Sequence, residues 1–329
     1  MKGRRLLITG AAGFTGRHAV NFFAAEGAKV SAVVRRPTID GVSISTLFPE
    51  GVEVYVCDLS DRSAVAEMIK EATPEAVLHL AGNNSVPESW RNPLLFMETN
   101  VMATLYLLEA MRSLPTSRIL VVGSRLKFKP GTAAGPPHPY SLSKTLEELV
   151  SLAWGTLFKQ PVLLAEPCNL IGPGPSTGFC SLLAQHITRS EATTGDEIDP
   201  FKLSSRYVLR DFLDVRDAVR AYDYILRKGE NGTIYRIDSG TQRQLGDIAE
   251  LLLSRSTVPV SMDWGSVEGE AIPVTSGTGE KIDRVETSSY ETVREEDVTS
   301  LGWKPEIELG QSLTDILNYY RVSREGRLL

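Results

Sequence analysis

Cysteine is scarce in this sequence: Cys57, Cys168 and Cys180 are the three in 329 residues, too few and too scattered for a disulfide framework. No CxxC pair or cysteine/histidine cluster has the spacing of a structural zinc site, so no metal is expected. A reducing, cytoplasmic setting is the matching expectation. Excess positive charge is also missing. Against 35 Lys and Arg stand 41 Asp and Glu, a formal net charge of -6, which gives no general attraction for a polyanionic backbone or an anionic membrane. Neither nucleic acid nor membrane is therefore an expected partner. Near the start, Leu6-Leu7-Ile8 is an apolar run too short for a signal-peptide core or a membrane span.

What is present is ordinary globular composition, 42% hydrophobic and 23% charged, over a length that suits one large domain or, as the better expectation, two fused ones. Residues 6–9 read as a short buried strand, 10–16 as a turn, 17–26 as a helix and 29–34 as a second strand, which is a βαβ unit. Strands at 52–56, 76–80, 118–123 and 162–165 then alternate with helices at 63–72, 93–112 and 141–156. This alternation predicts an α/β fold with a Rossmann-type parallel sheet covered on both faces. After Pro167 the texture changes, and Gly172-Pro173-Gly174-Pro175 is a turn cluster. The expected organisation is a dinucleotide-binding domain over 1–168 and a smaller, partly interleaved α/β substrate-binding domain over 169–329. About 205–240 is expected to return to the main sheet, because 207–222 reads as a strand and a helix. The segment 263–284 has little periodicity and reads as a loop over the pocket or a surface excursion.

The turn is Gly10-Ala11-Ala12-Gly13-Phe14-Thr15-Gly16. Its glycines permit close backbone approach to a pyrophosphate facing the following helix N-terminus, and Phe14 and Thr15 belong to the same contact loop. The second strand ends in Val33-Val34-Arg35-Arg36, where an acidic residue would accept ribose hydroxyls. Two guanidiniums suit a 2'-phosphate instead, so NADP(H) is favoured over NAD(H); Asp40, beyond a proline, is a less natural ribose ligand. Asp58 and Leu59 after the third strand are placed for the adenine, and Leu80 and Ala81 close the fourth strand at the crevice. His79 reads more readily as a hydrogen-bonded structural residue than as a base.

Tyr140-Ser141-Leu142-Ser143-Lys144 places a phenol and an ammonium four residues apart on one side of a helix. A nearby cation favours the phenolate, which makes Tyr140 a candidate acid/base for proton exchange with a carbinol or carbonyl. Lys144 can also bind the nicotinamide ribose, and Ser124 can polarise the same carbonyl oxygen. Taken alone the spacing is common; following the glycine turn and the fifth strand, it predicts a catalytic set of Ser124, Tyr140 and Lys144.

Together these motifs resemble the extended short-chain dehydrogenase/reductases acting on nucleotide sugars. The likeness runs through Thr9 to Gly16, Cys57-Asp58-Leu59, His79-Leu80-Ala81, Val122-Gly123-Ser124, Tyr140 to Lys144, Asn169 to Gly174, and Arg210 to Asp217. The resemblance implies Tyr140 as acid/base with Lys144 as its partner, Ser124 and Ser85 on the substrate, Asn169 near the sugar nucleotide and Arg210 on its diphosphate. It also implies a homodimer through the helices at 93–112 and 141–156, although Leu94, Leu95, Val101, Leu105 and Leu108 equally suit internal packing. Within the family, Val33 to Arg36 is similar to GDP-mannose 4,6-dehydratases. The Arg210 to Asp217 run and Leu301-Gly302-Trp303-Lys304-Pro305 are similar to GDP-4-keto-6-deoxymannose reductases.

Three departures bear on the reaction. Ser124 is followed by Arg125-Leu126-Lys127 where dehydratases of the family carry an acidic residue, and eliminating water across C5 and C6 needs an acid and a base. Glu166 stands where an arginine commonly precedes the Pro-x-Asn stretch, and Glu268 to Pro273 lacks an arginine that often grips the second phosphate. Glu88 reads as a surface carboxylate. The expected function is NADPH-dependent reduction of a nucleotide-linked 4-keto-6-deoxyhexose, with GDP as the nucleotide the resemblance implies. The alternatives are a nucleotide-sugar 4-epimerase, a 4,6-dehydratase, and a nucleotide-sugar-binding protein without turnover.

Overall fold

Strand β1, Arg5–Thr9, carries Leu6, Leu7 and Ile8, all fully buried. Successive side chains on a strand point to opposite faces. Accordingly Leu6 and Ile8 pack with Ala19, Val20 and Phe23 of helix α1 (Phe14–Ala25), while Leu7 packs on the other side with Val65, Met68 and Ile69 of helix α2 (Arg62–Ala72). A run that is apolar on both faces belongs in a parallel sheet sandwiched between helices, and that is where it lies. The computed structural model describes residues 1–39, 42–131, 133, 135–193, 198–203, 205–265 and 293–324. Asp40 and the Glu268 to Pro273 stretch lie outside the described residues.

Six more strands in chain order join β1: β2 (Lys29–Val34), β3 (Glu53–Val56), β4 (Ala76–His79), β5 (Arg118–Val122), β6 (Val162–Pro167) and, later, β9 (Thr233–Ile237). With the edge strand β11 (Arg294–Asp297) they form an eight-stranded sheet in the order β11-β9-β6-β5-β4-β1-β2-β3. Every neighbouring pair in it is parallel. The fold is a Rossmann-type α/β architecture. Because β1 is flanked by β2 and β4, the connections leaving β1 and β4 diverge, and a crevice opens at the carboxyl ends of these strands.

Helix α3, Pro93–Met111, is long and apolar enough by length and composition to cross a membrane. Here its inward residues Ala103, Leu107, Leu108 and Met111 lie in the core under Leu7 and Val77, with Val101 and Leu108 buried and Leu94 exposed. Helix α4, Pro139–Phe158, packs beside it, and its N-terminus is capped by His138, whose Nδ1 accepts the Ser141 amide at 2.9 Å.

A second sheet holds β7 (Asn169–Ile171), β8 (Leu209–Asp214) and β10 (Gln242–Gln244), with β8 parallel to β7 and antiparallel to β10. Helices α5 (Phe179–Ala192), α7 (Leu245–Leu253) and α8 (Leu309–Arg324) cover it around Leu183, Ile187, Phe212, Ile248, Leu252, Leu313 and Ile316. Between the two layers the chain crosses back: α6 (Val215–Lys228) packs Val219 and Tyr222 on the main core and β9 joins β6. The 207–222 reading placed a strand and a helix in the main layer. The helix does lie there, but its strand β8 belongs to the small sheet.

Candidate active site

The turn after β1 is a cradle that side chains would fill. Gly10 has φ +65°, and a Cβ on it would come within 2.8 Å of the Ala81 amide nitrogen; a Cβ on Gly16 would lie 2.1 Å from the Gly10 carbonyl oxygen. The Gly13 amide closes the turn on that same oxygen at 2.9 Å, and Ala11 N–H reaches the Val33 carbonyl at 3.2 Å, tying the turn to β2. Gly13 caps α1 without any side-chain hydrogen bond, leaving the first backbone amides of the helix for a ligand. Helix N-terminal amides favour an anion. The residues present thus fit a dinucleotide pyrophosphate. Beyond the carboxyl end of β2, Arg35 and Arg36 are both exposed. Leu59 is buried, while Asp58 is exposed with Oδ1 accepting the Ser60 amide at 2.9 Å, leaving its other oxygen open.

The first turns of α4 face the other side of the crevice. Tyr140 is 5% and Lys144 7% exposed. Lys144 Nζ donates to the Val122 carbonyl at the end of β5, 3.1 Å away, and to Glu147 Oε2 at 2.5 Å. A Cβ on Gly82, beyond β4, would sit 3.8 Å from the same Nζ, so the ammonium stands where the ends of β4 and β5 meet. Ser124 follows Val122 by two residues, and its Oγ accepts the Leu126 amide at 3.1 Å. Phe96 and His138 fix the Tyr140 ring, Phe96 edge-on at 6.2 Å and His138 stacked at 6.0 Å. Burial works against the Lys144 ammonium, but Glu147 and Tyr140 outweigh it and hold its pKa above the ordinary value.

Beneath this pair runs a buried polar chain. Thr9 Oγ1 lies 2.7 Å from His79 Nδ1, and His79 Nε2 lies 2.9 Å from Thr104 Oγ1, which stands 3.4 Å from Glu147 Oε1. Burial, with Lys144 nearby, pushes the His79 imidazole down to about 3, so it is neutral. Asn100, fully buried in a π-helical turn of α3 (Met97–Met102), receives the Asn83 amide at 2.7 Å and donates to the Asn83 carbonyl and to Ser143 Oγ at 3.0 and 2.9 Å. These bonds hold the loop after β4 against α4.

Residues 6–238 match the NAD dependent epimerase/dehydratase family. The chain belongs to this family. Among similar proteins, GDP-6-deoxy-D-mannose reductase of Pseudomonas aeruginosa is 30% identical over 335 residues, covering 96% of each chain. A dTDP-glucose 4,6-dehydratase of Xanthomonas campestris is 26% identical over 341 residues, 95% of this chain and 92% of that one. Among solved structures, RMD from Pseudomonas aeruginosa complexed with NADPH superposes with a TM-score of 0.72 at 27% identity, over 98% of this chain and 100% of that one. The UDP-glucose 4-epimerase of Thermus thermophilus with NAD, 20% identical, shares the fold with a TM-score of 0.74 over 96% of this chain and 99% of that one.

As an NAD(P)-dependent enzyme of the epimerase/dehydratase family, the chain places its remaining candidates unevenly. Leu80 and Ala81 send their amides to Thr9 Oγ1, each at 3.2 Å, at the floor of the crevice. Ser85 is exposed and caps a short helix, Val86–Arg91, by accepting the Glu88 amide at 3.2 Å. Glu88 itself faces Arg91 at 3.6 Å. Asn169 and Arg210 come to neighbouring strands of the second sheet, where Asn169 pairs with Phe212 and gives its side-chain amide to the Asp211 carbonyl at 2.8 Å. Arg210 is exposed and, among the described residues, donates to the Leu209 carbonyl. In the run that follows, Asp214 and Asp217 have structural roles: Asp214 caps α6 and receives Ser312 Oγ at 2.6 Å, and Asp217 accepts the amides of Glu306 and Ile307, both at 2.9 Å.

The sequence reading missed Asn100, Thr104, Ser143 and Glu147. For Asn100 and Thr104 a signal existed, two polar residues four apart on the inward face of a largely apolar helix; on α4 the inward residues Ser141, Ser143, Lys144, Thr145 and Glu147 are all polar, so Ser143 and Glu147 do not stand out.

Proposed function

We propose that this chain is an NADPH-dependent reductase of a nucleotide-linked 4-keto-6-deoxyhexose, with GDP as the favoured nucleotide. The observation that carries the reading is the buried Tyr140 and Lys144 pair at the junction of β4 and β5, followed beyond Ser124 by a lysine committed to Glu166 rather than by a carboxylate. Elimination of water needs a further acid and base, whereas reduction needs one proton donor beside the carbonyl. The likeness to the Pseudomonas aeruginosa reductase supports the same choice. Arg35 and Arg36 support NADPH, since exposed guanidiniums beyond β2 suit a 2'-phosphate.

NADPH, held at the Gly10 to Gly16 turn and by Arg35 and Arg36, would supply the hydride for C4. Tyr140 Oη gives its proton to the oxygen that becomes the C4 hydroxyl, Ser124 Oγ donates a hydrogen bond to that oxygen, and the free N–H of Lys144 points to the crevice. Asn169 and Arg210 hold the sugar nucleotide.

The test is incubation with NADPH and, separately, GDP-, dTDP-, UDP- and CDP-linked 4-keto-6-deoxyhexoses, following absorbance and product sugar. Stoichiometric loss of NADPH with the GDP sugar is expected. Tyr140→Phe is expected to bind NADPH as the parent does and to lower kcat by about 10²- to 10⁴-fold. Interconversion of a 4-hydroxy nucleotide sugar without net NADPH loss would replace reduction by 4-epimerisation.

A further inference from the structure

One turn beyond Lys144 lies a buried carboxylate that proton transfer to a ketone does not require. Glu147 is 1% exposed, with Oε2 2.5 Å from Lys144 Nζ and Oε1 3.4 Å from the Thr104 hydroxyl. Positions 140, 144 and 147 fall on one face of α4. An ammonium has three protons. Val122 and Glu147 take two of those on Lys144, which leaves one for the crevice and fixes its direction.

A cation beside a tyrosine favours the phenolate, and a carboxylate against that cation cancels much of its field, the more so where water is excluded. Protonating a ketone oxygen requires the phenol at rest; removing a hydroxyl proton requires the phenolate. We propose that Glu147 is a positioning residue that aims Lys144 and offsets its charge, so that Tyr140 stands as a proton donor and the site is set for reduction rather than oxidation. The inference rests on the reductase reading above.

The surrounding charged groups leave Glu147 in that role. From β4, His79 is neutral and reaches Glu147 through Thr104. On α4, Glu148 is turned to Lys127 at 2.8 Å, and Lys127 also meets Glu166 of β6. His138 stacks on Tyr140 with Nδ1 accepting an amide proton, and burial lowers its pKa, so it adds no charge. On the short helix beside α4, Glu88 and Arg91 face each other. Burial raises the Glu147 pKa while Lys144 and the Thr104 hydroxyl act to lower it, and among the described residues Glu147 is the carboxylate in contact with Lys144.

Glu147→Gln tests the proposal, because it keeps the shape and hydrogen-bonding capacity toward Thr104 and Lys144 while removing the charge. Tyrosinate absorbance of the full chain is titrated for parent and variant, each corrected by the same protein carrying Tyr140→Phe. The Tyr140 phenolate and the Val122 carbonyl still favour the Lys144 ammonium once the carboxylate is gone, and the expected result is ionisation of Tyr140 at a pH lower by about one unit or more in the variant. The alkaline limb of kcat/KM for NADPH-dependent reduction should move down equally, with kcat falling more than KM changes. Glu147→Asp, one methylene shorter, should shift both in the same direction by less, and it serves as the variant if Glu147→Gln does not fold. Coincident titrations in folded parent and variant would overturn the proposal. A shifted titration in a protein that reduces none of the 4-keto sugars would leave the electrostatic effect of Glu147 standing and overturn its assignment to reduction.

Discussion

The Thr9 hydroxyl lies 2.7 Å from His79 Nδ1 and also receives two backbone amides, those of Leu80 and Ala81. With both lone pairs used, its one proton goes to Nδ1, so His79 carries its own proton on Nε2 and donates it to Thr104. The imidazole is therefore neutral by its hydrogen-bond inventory as well as by its burial.

That inventory gives His79 a share in the acid response of the fold. Burial, reinforced by Lys144, lowers His79 to about 3, against about 6.5 in an unfolded chain. The unfolded state binds this proton first, so the contribution of His79 to stability is complete above about pH 6.5 and is lost as pH falls from there toward 3. One proton accounts for at most about 1.4 kcal/mol per pH unit. In urea denaturation at about pH 7 and about pH 5, the parent should lose stability on acidification by more than His79→Gln, which bonds on both sides and does not titrate. Equal losses would assign the acid sensitivity to another group.

The glycine turn and the Tyr140 and Lys144 pair were legible because their constraints are local. A Cβ at Gly16 collides with Gly10 six residues away, and the helical repeat alone aligns residues 140 and 144. The polar chain was not legible, since His79 meets Thr9 at a separation of 70 residues and Thr104 at 25. Nor was β11. Arg294–Asp297 reads Arg-Glu-Glu-Asp, and an edge strand with one neighbour and solvated side chains carries no apolar period. The pattern of β8, Leu-Arg-Asp-Phe-Leu-Asp, announces a strand but not which sheet receives it.

Cofactor choice is predicted to follow Arg35 and Arg36. Both are exposed beyond the carboxyl end of β2, the position that faces the adenosine ribose in this fold. Replacing Arg35 and Arg36 together by alanine should raise KM for NADPH by about 10- to 100-fold, from the loss of charge-assisted bonds to a phosphate. KM for NADH should stay near the parent value, because no 2'-phosphate is present to lose a partner. Steady-state kinetics with both nucleotides checks this, and an equal rise for both would show that the arginines do not read the 2'-phosphate.

Two departures from the family pattern meet in space. Lys127, the last residue of the Arg125-Leu126-Lys127 stretch after Ser124, has its Nζ 2.5 Å from Glu166 Oε1 and 2.8 Å from Glu148 Oε2. Glu166 is 4% exposed, and burial, against the pull of Lys127, raises it to about 7, compared with about 4.3 in an unfolded chain. Here the sign is opposite to that of His79. The folded state holds the Glu166 proton more tightly, so its stabilising contribution is present below about pH 4.3 and is lost as pH rises through 7. Lys127→Met removes the cation and leaves two carboxylates facing each other. Breaking a buried pair costs about 3–5 kcal/mol, and the partial exposure of Lys127 reduces that to roughly 1–3 kcal/mol. The loss should be larger at about pH 8, where both acids must ionise, than at about pH 5, where Glu166 keeps its proton. Adding Glu166→Gln to Lys127→Met should restore most of the stability at the higher pH, since it removes the unpaired buried charge. Thermal unfolding of parent, single and double variants at both pH values decides the matter: equal destabilisation at the two values, or no rescue by the second substitution, would show that the Lys127 and Glu166 contact does not govern this part of the fold.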